Sequence, residues 1–246
     1  MMITRLAILT ALCTSSPYAV ASQTAETPHQ ADFAVLFVGN SLTYTNDLPG
    51  IVEHLLAEYG ELGSVYTETV AFPNFGLEDH WSEGTARSRI AAGGWDVVVV
   101  QQGPSATEGR PSLIEFSRRL GAEIERARGQ LAVYMVWPSA ARAFDFDGVS
   151  RSHRIAADRA GGLLLPAGDA WRQAWVQDPD LILYGPDDFH PSPMGTYLAA
   201  LVIYQRLSGL DPRQLPPGLL TPGGTIPLSE TRSRLLQEAA AEANRS

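Results

Sequence analysis

Phe37-Val38-Gly39-Asn40-Ser41-Leu42-Thr43 closes an apolar run that begins at Phe33 and stands just ahead of a helical pattern starting near Leu48. An apolar run that ends in small residues before a helix reads as the first strand of an α/β sheet turning into its helix. Such turns lie at the carboxyl ends of the strands, where open α/β sheets bind their ligands. Ser41 is therefore placed where a nucleophile would be useful. Asn and Ser are equally ordinary turn and N-cap residues, so position alone does not assign the role.

Outward from this turn the pattern alternates between strand and helix. Ile51, Val52, Leu55, Leu56 and Tyr59 recur at helical spacing, and Gly60 supplies a stop. Val65 to Phe72 alternates as an edge strand, and Leu77 to Ala92 is predicted as a helix. Trp95 to Val100 contains four consecutive valines, the composition of a strand buried on both faces at the centre of a parallel sheet. A helix is predicted over Leu113 to Arg128, a strand over Leu131 to Trp137 and a loop over Ser139 to Val149. Then follow a helix over Ser150 to Ala160, a short strand over Leu163 to Leu165 and a short helix over Ala170 to Trp175. Asp178 to Ser192 is a loop. Ser192 and Pro193 are the N-cap and first residue of a helix running to Leu207, which Gly209 closes. The Pro/Gly-rich stretch Leu210 to Pro227 reads as a surface excursion, and Leu228 to Asn244 as an amphipathic helix packed on the body. The alternation predicts a three-layer α/β/α domain with a parallel sheet of about five strands.

The first 21 residues combine Arg5, an apolar run from Leu6 to Cys13 too short to span a bilayer, and small residues ending at Ala21. This is expected to be a signal peptide cleaved after Ala21. A lipid anchor on Cys13 is disfavoured by the bulky Leu12 before it. Residues 22–31 read as a linker, 32–209 as the domain, and 210–246 as the excursion and final helix. Cleavage would remove the single cysteine, leaving no disulfide, thiol nucleophile or thiolate metal site. The absence of Lys excludes a Schiff-base lysine and the lysine-bearing phosphate loop. The formal net charge of −9 and scattered Arg residues argue against nucleic acid or anionic membrane surfaces as partners. His54, His80 and His153 lack paired-ligand spacing, so no metal is expected, and no dinucleotide fingerprint calls for another cofactor. Asp79-His80, close after Gly76, reads as a surface helix start with a place in the pocket wall as the alternative, and Trp137, Phe144 and Phe146 as either substrate wall or plain core or loop aromatics.

A serine nucleophile needs a base, a group that orients the base, and donors for the oxyanion. Asp187 and His190, three apart in the late loop, can supply the first two from the same sheet edge as Ser41. Gly39-Asn40-Ser41-Leu42 near the start and Asp187-x-x-His190 before the last core helix, in that order, resemble the SGNH hydrolases, or GDSL-like esterases and lipases. The Pro191-Ser192-Pro193-Met194-Gly195 run is similar to the helix start of that family.

The resemblance implies a flavodoxin-like SGNH hydrolase fold, with Ser41, Asp187 and His190 as the catalytic residues. It implies an oxyanion hole from the N–H groups of Ser41 and Gly76. The family's third block, Gly-x-Asn-Asp, is replaced by Gln101-Gln102-Gly103. Either Gln amide could donate in place of the missing Asn, or both could simply satisfy backbone groups at the strand end; the sequence leaves this, and the choice between Gln101 and Gln102, open. The expectation is an exported, cofactor-free serine esterase acting on a small-molecule or saccharide ester, with a short acyl group such as acetyl. The alternatives are a lipase or lysophospholipase, and a non-catalytic carbohydrate-binding or scaffolding domain.

Overall fold

The computed structural model describes residues 27–245. The expected leader at 1–21 and residues 22–26 of the expected linker lie outside the described residues, as does Ser246. Five parallel strands form one sheet: β1 (Phe33–Gly39), β2 (Val65–Ala71), β3 (Val97–Val100), β4 (Gln130–Tyr134) and β5 (Leu163–Leu165). Their order, β2-β1-β3-β4-β5, puts the four-valine strand at the centre and β2 at an edge. All four valines are at most 3% exposed, as a strand covered on both faces requires.

Alternate strand residues feed two separate cores. Val35, Phe37, Val97, Val99 and Tyr134 face one way. On that side lie α2 (Leu48–Tyr59), α7 (Ala167–Gln177), α8 (Pro193–Ser208) and α9 (Glu230–Ala243). Ala34, Leu36, Val38, Val98, Val100 and Val133 face the other way, toward α3 (Leu77–Glu83), α4 (Thr85–Ala92), α5 (Arg110–Arg126) and α6 (Phe146–Ala160). The three-layer α/β/α architecture expected from the alternation is the observed one. A further four-residue helix, α1 (Ser41–Tyr44), follows β1 directly.

The differences from the sequence reading are local. The helix predicted over Leu77 to Ala92 is two helices, because Gly84 adopts φ 94° and caps the first of them. The loop predicted from Ser139 contains a 3₁₀ segment, Ala140–Asp145, and α6 starts earlier than predicted, at Phe146. The excursion after Leu210 is less superficial than its composition suggests. It forms a hairpin, β6 (Leu219–Thr221) with β7 (Gly224–Ile226), and buries Leu215, Leu219 and Leu220 against the core. In α9, Leu236, Ala239, Ala240 and Ala243 are buried, and Asn244 after it donates to Val202 O and Gln205 Oε1. Among the described residues no helix is long and apolar enough to cross a membrane.

The start of α8, which carries the Asp187 and His190 loop into the core, is packed to the limit. Ser192 caps the helix by accepting from Gly195 N–H. A Cβ on Gly195 would lie 2.2 Å from Leu183 O and 2.6 Å from Trp171 Cζ2. Gly195→Ala is therefore expected to cost about 1–3 kcal/mol by overpacking, read as a lowered denaturant midpoint at unchanged m-value.

Candidate active site

The turn after β1 is built to hold Ser41 in one place. Asn40 is the N-cap of α1: its Oδ1 accepts from Leu42 N–H at 3.0 Å, and its Nδ2 donates to Phe75 O at 2.8 Å. From the end of β3, Gln101 Oε1 accepts both Asn40 N–H at 2.9 Å and Thr43 Oγ1–H at 2.8 Å. Gly39 leaves the space these contacts need, since a Cβ there would lie 2.3 Å from Thr43 Oγ1 and 2.6 Å from Gln101 Oε1. Ser41 is the first residue of α1, so its N–H has no acceptor within the helix.

The opposing loop is equally constrained. Asp187 Oδ1 accepts the backbone N–H groups of Phe189 at 3.2 Å and His190 at 2.9 Å. Trp137 Nε1–H donates to Phe189 O, Tyr184 Oη–H to Pro138 O, and Gly185 N–H to His190 O. Asn46, at φ 55°, donates from Nδ2 to Pro191 O and Thr196 Oγ1, both at 2.9 Å, and so ties the segment after Ser41 to the histidine loop. The sequence reading passed over Asn46. Its signal was the Asn46-Asp47 pair, residue types that tolerate the left-handed region that both occupy.

These two loops meet at three side chains. His190 Nε2 lies 2.8 Å from Ser41 Oγ, and His190 Nδ1 lies 2.5 Å from Asp187 Oδ2. An ionised carboxylate only accepts, so Nδ1 carries the proton and Nε2 is left to accept from the Ser41 hydroxyl. The hydrogen bond from His190 holds the Asp187 carboxyl down at about 2, below its ordinary 3.8. Serine, imidazole and carboxylate thus stand in the order that lets a hydroxyl lose its proton on attack.

Ser41 opens on a cleft of about 420 Å³ whose walls include Gly76, Glu78, Asp79, Gln102 and Phe189. Two larger concavities, each about 530 Å³, lie between α4 and α5 and between α5 and α6, and contain none of these groups. Gly76 borders the cleft, and its N–H donates to Asp79 Oδ2 at 2.8 Å. The two glutamines separate. Gln101 is 1% exposed beneath the Ser41 turn, with its Nε2 buried and without a partner among the described residues. Gln102 faces the cleft: its Oε1 accepts Leu77 N–H at 3.1 Å, while its Nε2 donates to Ser105 Oγ at 2.9 Å and Gly109 O at 3.2 Å.

The aromatic residues considered as a wall divide as well. Trp137 and Phe146 are buried, Trp137 stacking on Trp171 at 3.6 Å, whereas Phe144 is 78% exposed. His80, read from sequence as part of a surface helix start, is fully buried. Phe72 and Phe75, from the turn just before α3, pack on its ring.

Solved structures similar over most of this chain include the following three. A protein of Slackia heliotrinireducens assigned to the SGNH hydrolases is 26% identical, with TM-score 0.59, over 71% of this chain and 98% of that one. The chain has the SGNH hydrolase fold. A DUF4886 family protein from Bacteroides uniformis superposes with TM-score 0.68 at 20% identity, covering 86% of this chain and 94% of its own. A lipase/acylhydrolase from Enterococcus faecalis gives 0.59 at 15% identity, over 72% and 96%. No family model matches the chain, and no curated protein matches it.

Proposed function

We propose that the protein is a serine esterase, and the observation that carries this reading is the 2.8 Å approach of His190 Nε2 to Ser41 Oγ with Asp187 behind the imidazole. In this reading Ser41 Oγ attacks the ester carbonyl carbon while His190 Nε2 takes its proton. The tetrahedral intermediate collapses, the alcohol leaves with the proton from His190, and water then releases the acyl group by the same route in reverse. Asp187 keeps the imidazole in the accepting tautomer and stabilises its cation.

The oxyanion would be met first by the Ser41 N–H. Gly76 N–H and Gln102 Nε2 line the same cleft and would each exchange an internal acceptor for the oxyanion; Gln101, sealed under the turn, is left with a supporting role. Asp79 competes directly for the Gly76 donor. Asp79→Ala is expected to lose about 1 kcal/mol of stability with the helix cap, while raising kcat through release of the N–H and removal of a nearby negative charge. Stopped assays beside thermal melts would read both signs.

For the substrate, the wall of the cleft beside Ser41 carries Glu78 and Asp79, and Arg142 lines only the adjoining concavity of about 350 Å³ beyond Gln102 and Phe189. A small acyl group on a neutral alcohol fits it better than an anionic headgroup. The chain would act outside the cytoplasm, since residues 1–21 have the composition of an export signal. A series of aryl esters from acetate to decanoate tests the acyl preference: kcat/KM is expected to be highest for acetate, and a maximum at the long chains would assign a lipase-type activity instead.

The committed hydrogen bonds of Gly76 N–H and Gln102 Nε2 favour one second reading, a domain that binds an ester or saccharide without turning it over. It predicts ligand binding with no hydrolysis of any ester in the series.

A further inference from the structure

His80, the fourth residue of α3, is fully buried beneath the turn that presents Ser41. Its Nε2 lies 2.8 Å from Gly39 O, one residue before Asn40 and two before Ser41. A carbonyl can only accept, so Nε2 carries the proton. The other ring nitrogen, Nδ1, is buried and has no partner among the described residues. Phe72 and Phe75 pack around the ring at 5.8 and 5.2 Å between centroids. Burial pushes the imidazole below its ordinary pKa and keeps it neutral. An imidazole held this way is costly to bury, and among the described residues its one hydrogen-bond partner is the Gly39 carbonyl.

The same helix begins at Gly76. His80 N–H donates to Gly76 O at 3.3 Å while the His80 ring holds Gly39 O, so one residue joins the segment bearing the nucleophile to the segment bearing the Gly76 N–H. We infer that His80 is a positioning residue for Ser41, fixing the Gly39 carbonyl and through it the distance between Ser41 Oγ and the oxyanion donor on α3. This role rests on the esterase reading. Gly39 O also accepts Phe72 N–H at 3.2 Å, so loss of the imidazole leaves the carbonyl paired. The fold has a second support at this point; the alignment keeps only the link from Asn40 Nδ2 to Phe75 O, which holds Asn40 and leaves the Gly39 carbonyl without the imidazole.

The full chain with His80→Leu, His80→Gln and His80→Asn separates positioning from bulk packing. The Gln amide nitrogen stands as many bonds from Cβ as the imidazole Nε2 does, whereas the Asn amide falls one atom short. His80→Leu and His80→Asn are expected to lower kcat for an aryl acetate, and the rate of Ser41 labelling by a fluorophosphonate, by about 10- to 100-fold. KM should change little, and His80→Gln should recover most of the rate. Labelling of His80→Asn at the wild-type rate, or a His80→Gln variant as slow as His80→Asn, overturns the role while leaving the esterase reading intact. A folded wild type that is not labelled at all overturns both.

Discussion

Ser41→Ala is expected to abolish hydrolysis of acetate esters, with kcat falling by about 10⁴-fold or more. The size follows from the group removed. Ser41 Oγ is the atom that His190 Nε2 approaches at 2.8 Å, and alanine leaves His190 with nothing to deprotonate except water. The fold should not register the change. The Ser41 turn is held by Asn40 to Leu42 and Phe75, and by Gln101 to Asn40 and Thr43, none of which uses the serine hydroxyl. Thermal unfolding of the variant should therefore coincide with that of the wild type. A loss of activity accompanied by an equal loss of structure would point to packing at the turn and away from chemistry at Oγ.

Asp187→Asn should reduce kcat by about 10⁴-fold with little effect on KM, for a different reason. Asp187 Oδ1 holds two backbone N–H groups, and an Asn oxygen can keep them. The other atom then becomes an NH₂ facing His190 Nδ1. Two donors cannot share that contact, so the imidazole moves its proton to Nε2 and points a donor, rather than an acceptor, at Ser41. Because the native carboxyl is held at about 2, Asp187 stays ionised as pH falls below 3.8 and protonates only as pH approaches about 2. Its own titration therefore contributes no acid limb to the wild-type pH–rate profile above about pH 4. Steady-state kinetics on a single acetate ester, with circular dichroism as the control for folding, reads the effect.

The parts of the fold that were legible are those governed by period and by turn chemistry. The four valines from Val97 to Val100 read as a strand covered on both faces, and Ser192-Pro193 as the start of a helix. The boundaries that moved did so where one residue decides. Gly84 in the left-handed region cut a predicted helix in two, and the Pro/Gly content between Leu210 and Pro227 hid three leucines that reach the core. At the site, Ser41, Asp187 and His190 were singled out by the order of the Gly39-Asn40-Ser41-Leu42 and Asp187-x-x-His190 blocks and the resemblance these carry, since position at one sheet edge alone favoured ordinary cap and loop residues. Gln101 and Gln102 were not separable by sequence, since both follow the same strand and alternate faces send one beneath the turn and the other into the cleft. His80 and Asn46 escaped for a related reason. Their partners, Gly39, Pro191 and Thr196, are distant in the chain, and no local pattern announces a side chain that joins two loops.

The most direct test of an activated serine is covalent. The protein, with and without Ser41→Ala, is treated with a fluorophosphonate, digested, and mapped by mass spectrometry. An adduct on Ser41 that is absent from the variant is the expected result. A folded wild-type protein that carries no adduct at Ser41 would contradict the esterase reading and leave a binding domain on the same fold.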